Sequence, residues 1–170
     1  YAALANQGQY SPNTCLMQIK KEDGSLVYRS NKDTREVYNK DTAYILTDMM
    51  QGTFREEYGT AHKLYDGKQY YAGKTGTTND NKDAWFCGYS KYYTTAVWAG
   101  CDTPRSVEGL EGSSSPASIW MDFMSDIHKD KKKADFTVPD TVYLADKEGN
   151  QKKITLQYDM WKNRPSNYDY

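Results

Sequence analysis

The residues of this sequence that are best suited to chemistry lie in one short run, Lys74-Thr75-Gly76-Thr77-Thr78. Lys74 supplies a positive charge, and Thr75 and Thr77 supply hydroxyl donors, so the run suits the binding of an anionic group. Gly76 carries no Cβ, which lets the backbone of a bound molecule approach closely. A strand end with an exposed lysine would also fit this run, because short motifs match by chance. The surrounding sequence has to decide between the two interpretations.

Three candidate strands and a helix position this run. The pattern predicts strands over residues 70–77, 84–90 and 94–101, and their short connections favour an antiparallel meander. Ser115-Pro116 predicts a helix start, with serine as the cap and proline at the first position. Apolar residues then recur at helical spacing and predict a stripe packed on one face of the sheet, namely Ile119, Trp120, Phe123, Met124 and Ile127. The predicted fold class is α+β, a three-stranded antiparallel core with a packed C-terminal helix and hairpin insertions.

The remaining sequence predicts smaller elements around this core. Residues 1–8 are typical of a helix end stopped by Gly8, and residues 41–51 of an amphipathic helix stopped by Gly52, followed by a loop over 53–69. A hairpin is predicted over residues 15–30, with its turn at Glu22-Asp23-Gly24. A second hairpin is predicted from 141–145 and 153–157, followed by a tail.

Composition excludes several classes of function. The 170 residues suit one domain or a large piece of one, and the net charge of -1 indicates no protein-wide field for nucleic acid or membrane. The basic run from Lys129 to Lys133 is interpreted as a solvated helix end. The three cysteines show no Cys-x-x-Cys spacing and lie far from both histidines, which argues against a metal site, and we expect Cys87 and Cys101 not to be bonded. The sequence holds no apolar run of about 18 residues, the length that a transmembrane helix needs.

The strings around the lysine run carry a family resemblance. GKTGTTNDNKDAWFCGYS, TTAVWAGCD and SPASIWMDFM follow one another, and YAALANQGQYSP and DMMQGTFREEYGTAHKL precede them. This order resembles the C-terminal part of the transpeptidase domain of class A penicillin-binding proteins, the bifunctional enzymes that build peptidoglycan, over residues 1–128. The resemblance implies a sheet like that of penicillin-binding proteins and β-lactamases. It divides the chain into part of that domain over 1–133 and a C-terminal extension with a β hairpin over 134–170.

The resemblance also implies roles for the lysine run. Lys74 and Thr77 would be catalytic, with the Thr77 backbone N–H as half of an oxyanion hole, and Thr75, Gly76, Thr77 and Thr78 would bind substrate. The implied ligands are the D-Ala-D-Ala stem peptide of peptidoglycan and β-lactams, with no cofactor, metal or nucleic acid. The implied location is extracytoplasmic, with a membrane anchor in a segment before Tyr1, where the sequence looks like a cut through a longer protein.

The nucleophile of this family is absent from these residues. Its Ser-x-x-Lys motif has no match, because no serine here has lysine three positions later. Ser11-Pro12-Asn13 matches the second family motif, Ser-x-Asn, but is interpreted as a turn. Since acyl transfer through a covalent intermediate needs an activated nucleophile, we expect the isolated chain to be inactive without the N-terminal half of the domain.

Three other interpretations share part of this pattern. A β-lactamase uses the same three-element logic but normally lacks the long hairpin before the active-site strand. A β-lactam sensor domain would need an upstream membrane receptor. A non-catalytic cell-wall-binding module would suit the 16 tyrosines and the C-terminal hairpin.

Overall fold

The computed structural model describes residues 1–31, 33–147 and 150–155, and the predicted tail and the last residues of the second predicted hairpin lie outside this part. The helices are α1 (Ala2–Ala5), α2 (Lys40–Arg55) and α3 (Ser115–Ile127), with short 3-10 turns at His62–Leu64 and Asn79–Asn81. The strands are β1 (Gln9–Tyr10), β2 (Gln18–Lys20), β3 (Leu26–Arg29), β4 (Arg35–Glu36), β5 (Ala72–Thr77), β6 (Asp83–Tyr89), β7 (Thr94–Gly100), β8 (Val142–Lys147) and β9 (Asn150–Thr155).

A three-stranded antiparallel sheet in the order β5-β6-β7 forms the centre of the fold, which confirms the predicted fold class. The register places Lys74 opposite Cys87 and Cys87 opposite Ala96. All three cysteines are free, as predicted.

The core lies between one face of this sheet, the end of α2 and helix α3. Phe54, Phe86 and Trp120 meet here, with ring centroids 5.0 Å apart between Phe86 and Trp120 and 5.5 Å between Phe54 and Trp120. Gly88 makes room for the indole, because a Cβ at this position would lie 2.7 Å from Trp120 Cζ2. Replacing such a buried aromatic residue by alanine typically costs about 3–5 kcal/mol, so this cluster holds α3 on the sheet.

Helix α3 differs from its prediction in two respects. Trp120 and Met124 are buried as predicted, but Ile119 and Phe123 are 54% and 50% exposed, and Ala117 and Met121 take their places in the core. The predicted stripe was too wide, because the buried residues follow the i, i+3, i+4, i+7 positions of one helix face. Ser115 is the first helical residue rather than the cap, and the preceding Ser114 donates its hydroxyl to Glu111 O at 2.6 Å instead of capping the helix.

Helix α2 begins as expected and ends later than expected. Asn39 caps it by accepting the Thr42 N–H at 2.7 Å. The helix continues through Gly52 to Arg55, so the predicted stop at Gly52 is wrong. Continuation buries Phe54 to 2% exposure, and this apolar burial outweighs the modest helix cost of one glycine.

The predicted hairpins are present. β2 pairs with β3, and Gly24 takes the positive φ of +84° that its turn requires. β8 pairs with β9, which confirms the second hairpin over the residues that the structure describes. The short β1–β4 pair was not predicted, and Ser11-Pro12-Asn13 forms an irregular connection rather than the predicted turn.

The lysines after α3 are exposed, as predicted, but two of them also contact tyrosine rings. Lys131 Nζ lies 5.7 Å from the Tyr93 ring centroid, and Lys133 Nζ lies 4.7 Å from that of Tyr70. The buried Gln69 accepts the Ala134 N–H and donates to Lys132 O, which fastens this segment to the start of β5. Within the described ranges, no helix has both the length and the apolar character needed to cross a bilayer.

Candidate active site

Strand β5 carries the Lys-Thr-Gly run and forms an edge of the sheet. Gly73 O accepts the Thr53 hydroxyl at 2.7 Å on the side away from β6, whereas the Thr78 N–H donates to Asp83 O, on the β6 side, at 2.9 Å. Backbone groups alternate in direction along an antiparallel strand. The backbone N–H and C=O of Thr75 and Thr77 therefore point away from β6, as those of Gly73 do, to an edge with which no other described strand pairs.

Lys74 and Thr75 form a polar cluster with a residue that the sequence did not indicate. Lys74 Nζ donates to Thr75 O at 3.0 Å and approaches Thr75 Oγ1 at 3.5 Å. Thr75 Oγ1 in turn donates to Thr60 Oγ1 at 3.3 Å. Thr60 lies in the connection between α2 and β5, fifteen positions before Thr75. Only its place after Gly59 in a polar loop could have drawn attention to it.

The hydroxyl of Thr77 is oriented by a backbone N–H from the connection between β7 and α3. The Gly112 N–H donates to Thr77 Oγ1 at 3.1 Å, which uses a lone pair of the oxygen and leaves the O–H free to donate. Gly112 fits tightly here, because a Cβ would lie 2.7 Å from Gly76 O and 2.5 Å from Trp85 O. The connection between β7 and α3 thus sets the direction in which Thr77 can donate.

Gly76 has space around it. A Cβ at this position would meet only the Trp85 Cβ, at 3.7 Å, which is ordinary van der Waals contact. The described part of the fold therefore gives no internal reason for a glycine here. That the absent side chain leaves room for a bound molecule stays a prediction.

Thr78 lies apart from this cluster. Its hydroxyl accepts the Asp83 N–H at 2.8 Å and lies 3.3 Å from Asp83 O, so it closes the connection between β5 and β6. The structure therefore brings Lys74 and Thr75 together, orients Thr77 beside them along the same strand, and engages Thr78 elsewhere. A substrate contact by Thr78 stays a prediction.

Cys87 and Ser90 carry groups that could act as nucleophiles, but neither is suited to catalysis. Burial raises the pKa of the Cys87 thiol, so Cys87 is held in its less reactive protonated form. Ser90 Oγ lies 2.8 Å from His128 Nε2, as in a serine–histidine pair, but it also accepts the N–H groups of Tyr92 and Tyr93. With Ser90 1% exposed, this pair is a buried clamp on the turn between β6 and β7. Among the described residues, no group of three or more metal-ligating side chains could hold a metal ion.

Comparison with known proteins identifies the class to which this fold and edge strand belong. Residues 1–125 match the family model described as penicillin binding protein transpeptidase domain. Penicillin-binding protein 1A of Clostridium acetobutylicum is 34% identical over 167 residues, which is 98% of this chain and 19% of that protein. Penicillin-binding protein 4 of Bacillus subtilis is 36% identical over 120 residues, 71% of this chain and 19% of that protein. The chain therefore spans about a fifth of the length of these curated relatives.

The fold agrees with this match. The crystal structure of penicillin-binding protein 1A from Haemophilus influenzae superimposes with a TM-score of 0.79 at 18% identity, covering 92% of this chain and 31% of that one. This chain belongs to the penicillin-binding protein transpeptidase family. The resemblance to class A penicillin-binding proteins is confirmed, while a domain boundary between residues 133 and 134 stays a prediction.

Proposed function

We propose that this chain supplies the Lys-Thr-Gly strand of a serine D,D-transpeptidase, which cross-links peptidoglycan stem peptides and is acylated by β-lactams. The observation that carries the proposal is the open edge of β5. Because backbone groups alternate in direction along β5, the Thr77 N–H points away from β6. The Gly112 N–H donates to the Thr77 hydroxyl oxygen, which leaves the Thr77 O–H free to donate. An extended peptide can align along such an edge through main-chain hydrogen bonds.

Each member of the run has a role in this proposal. Thr75 and Thr77 line the site of the terminal carboxylate of the stem peptide or of the corresponding group of a β-lactam, and the Thr77 hydroxyl donates to it. The Thr77 N–H stabilises the oxyanion that develops when the acyl carbonyl is attacked. Lys74, held at 3.0 Å from Thr75 O, places a positive charge beside the reacting groups. Gly76 lets the substrate backbone reach the strand.

No serine of these 170 residues has lysine three positions later. We propose that a Ser-x-x-Lys segment in the N-terminal half of the domain completes the site, and that an anchor there holds the enzyme outside the cytoplasmic membrane. The isolated chain should then neither hydrolyse nor covalently retain a fluorescent penicillin. A labelled band that survives denaturing electrophoresis of the isolated chain would contradict this.

Tyr44, Tyr71 and Tyr89 are core residues and are therefore not available to a wall-binding surface. The curated relatives named above are penicillin-binding proteins, which favours a transpeptidase over a β-lactamase.

The proposed function is tested by Lys74→Ala in the full-length protein that contains this chain. Loss of one preorganised electrostatic contact typically lowers the rate by about 100- to 1,000-fold, so we expect that loss in the second-order rate of acylation by penicillin. Lys91→Ala, an exposed lysine at the other end of the sheet, is the matched control. Both variants should keep their free energy of unfolding within about 0.5 kcal/mol. A normal acylation rate in Lys74→Ala, or a loss explained by unfolding, would remove Lys74 from the mechanism.

A further inference from the structure

Thr60 is exposed at the edge of the sheet beside the proposed carboxylate-binding hydroxyls. Its Oγ1 lies 3.3 Å from Thr75 Oγ1, and this is the one contact between the α2–β5 connection and the Thr75 side chain that the described structure records. Helix α2 itself reaches the strand at a second point, where the Thr53 hydroxyl donates to Gly73 O at 2.7 Å. Thr60 therefore stands just beyond the stretch of β5 edge that α2 already occupies.

The loop that presents Thr60 is rigidly built. A Cβ at Gly59 would lie 2.5 Å from Gly52 O and 2.4 Å from Thr53 O, so the backbone crosses the end of α2 at a distance that only glycine allows. The next residue, Ala61, is 2% exposed and donates its N–H to Thr53 O at 3.0 Å. Thr60 is thus an exposed side chain between two backbone anchors, and its position costs little further ordering when a ligand binds.

The hydrogen bonds around Thr60 have a direction. The Lys74 ammonium can only donate, and it lies 3.5 Å from Thr75 Oγ1, while Thr75 donates onward to Thr60 Oγ1. Thr60 accepts at this point, so its own O–H is left to donate. Among the described residues, none receives that hydrogen. Hydrogen bonds in such a chain polarise one another, so the lysine charge strengthens the last donor.

We infer that Thr60 is a substrate-binding residue, whose hydroxyl ends a Lys74–Thr75–Thr60 hydrogen-bond chain and donates to the carboxylate of the stem peptide or β-lactam. This inference rests on the proposed function. It adds to the carboxylate site a residue that lies outside the Lys-Thr-Gly run and is supplied by the connection between α2 and β5.

The test compares Thr60→Val, Thr60→Ser and the control Thr94→Val in the full-length protein. Valine has the shape of threonine without its hydroxyl, and Thr94 is exposed at the start of β7, opposite Tyr89 and away from the site. We expect Thr60→Val to slow acylation by benzylpenicillin by about 10- to 100-fold, the range of one charge-assisted hydrogen bond. Thr60→Ser and Thr94→Val should stay near the unsubstituted rate, with unchanged melting temperatures.

A second probe separates direct contact from an effect through Thr75. Benzylpenicillin methyl ester lacks the carboxylate charge, so the ratio between the unsubstituted protein and Thr60→Val should shrink towards one with this ester. An equal loss with both probes would overturn the carboxylate contact, and a normal rate of Thr60→Val with benzylpenicillin would overturn any role of Thr60 in binding. If the unsubstituted protein were not acylated at all, the proposed function would fall, and this inference with it.

Discussion

Glycine at position 76 offers a sharp test, because its roles in folding and in binding can be separated. Gly76→Ala adds a Cβ whose nearest neighbour is the Trp85 Cβ at 3.7 Å, and Gly76 has no positive φ. Alanine should therefore fit the strand. It should also raise the free energy of unfolding by up to about 1 kcal/mol, because alanine restricts the unfolded chain.

Acylation should respond in the opposite direction. The added methyl group lies where the bound molecule is expected to approach β5. A misplacement of about 1 Å can cost about 100-fold in rate, so we expect a loss of that order in acylation by penicillin. The control is Gly88→Ala, whose Cβ would lie 2.7 Å from Trp120 Cζ2 and 3.0 Å from Ala72 O. Overpacking there should cost about 1–3 kcal/mol of stability while the folded fraction keeps its acylation rate.

Both quantities are measured on the same preparations of the full-length protein, the acylation rate by stopped-flow with a fluorescent penicillin and the stability by urea denaturation. We expect a crossed result, in which Gly76→Ala is stable but slowly acylated and Gly88→Ala is less stable but acylated at the normal rate. A Gly76→Ala variant that is acylated at the normal rate would show that the space beside Gly76 is not used by the ligand.

Three further predictions concern the core. The Tyr71 hydroxyl is buried without a hydrogen-bond partner of standard geometry among the described residues. Tyr71→Phe should therefore leave stability unchanged or raise it by about 1 kcal/mol in urea denaturation, and a large loss would reveal a missed bond. Burial raises the pKa of Tyr71 and of Tyr89 to about 12, above the value of about 10 in unfolded chains, so the unfolded state loses these protons first, and the free energy of unfolding should fall between pH 10 and pH 12. Tyr89→Phe should flatten that fall, and an unchanged slope would contradict the role of Tyr89. Ser90→Ala should cost about 1–3 kcal/mol, because it removes the oxygen shared by His128 and two backbone N–H groups; a stability within error of the unsubstituted protein would show that the clamp is dispensable.

Much of the fold could be predicted because its signals are local. The three strands, the hairpin at Gly24 and the beginning of α3 depend on alternation, turn residues and helical spacing, which neighbouring residues carry. The errors arose where burial decides. Gly52 did not stop α2, because the burial of Phe54 stabilises another turn of helix. Ile119 and Phe123 are exposed, because a single face of α3 meets the sheet.

By itself, the sequence determined the family and located the strand on which the proposed chemistry rests. The order of the strings around Lys74 is specific enough to identify a penicillin-binding transpeptidase, and the absence of Ser-x-x-Lys can be read without coordinates. Only the tertiary structure decided which hydroxyls share the site. Thr60 meets Thr75 across fifteen positions, and the Gly112 N–H reaches Thr77 across thirty-five. Such contacts depend on how far two connections fold back onto one strand edge, and no local pattern of residues encodes that distance.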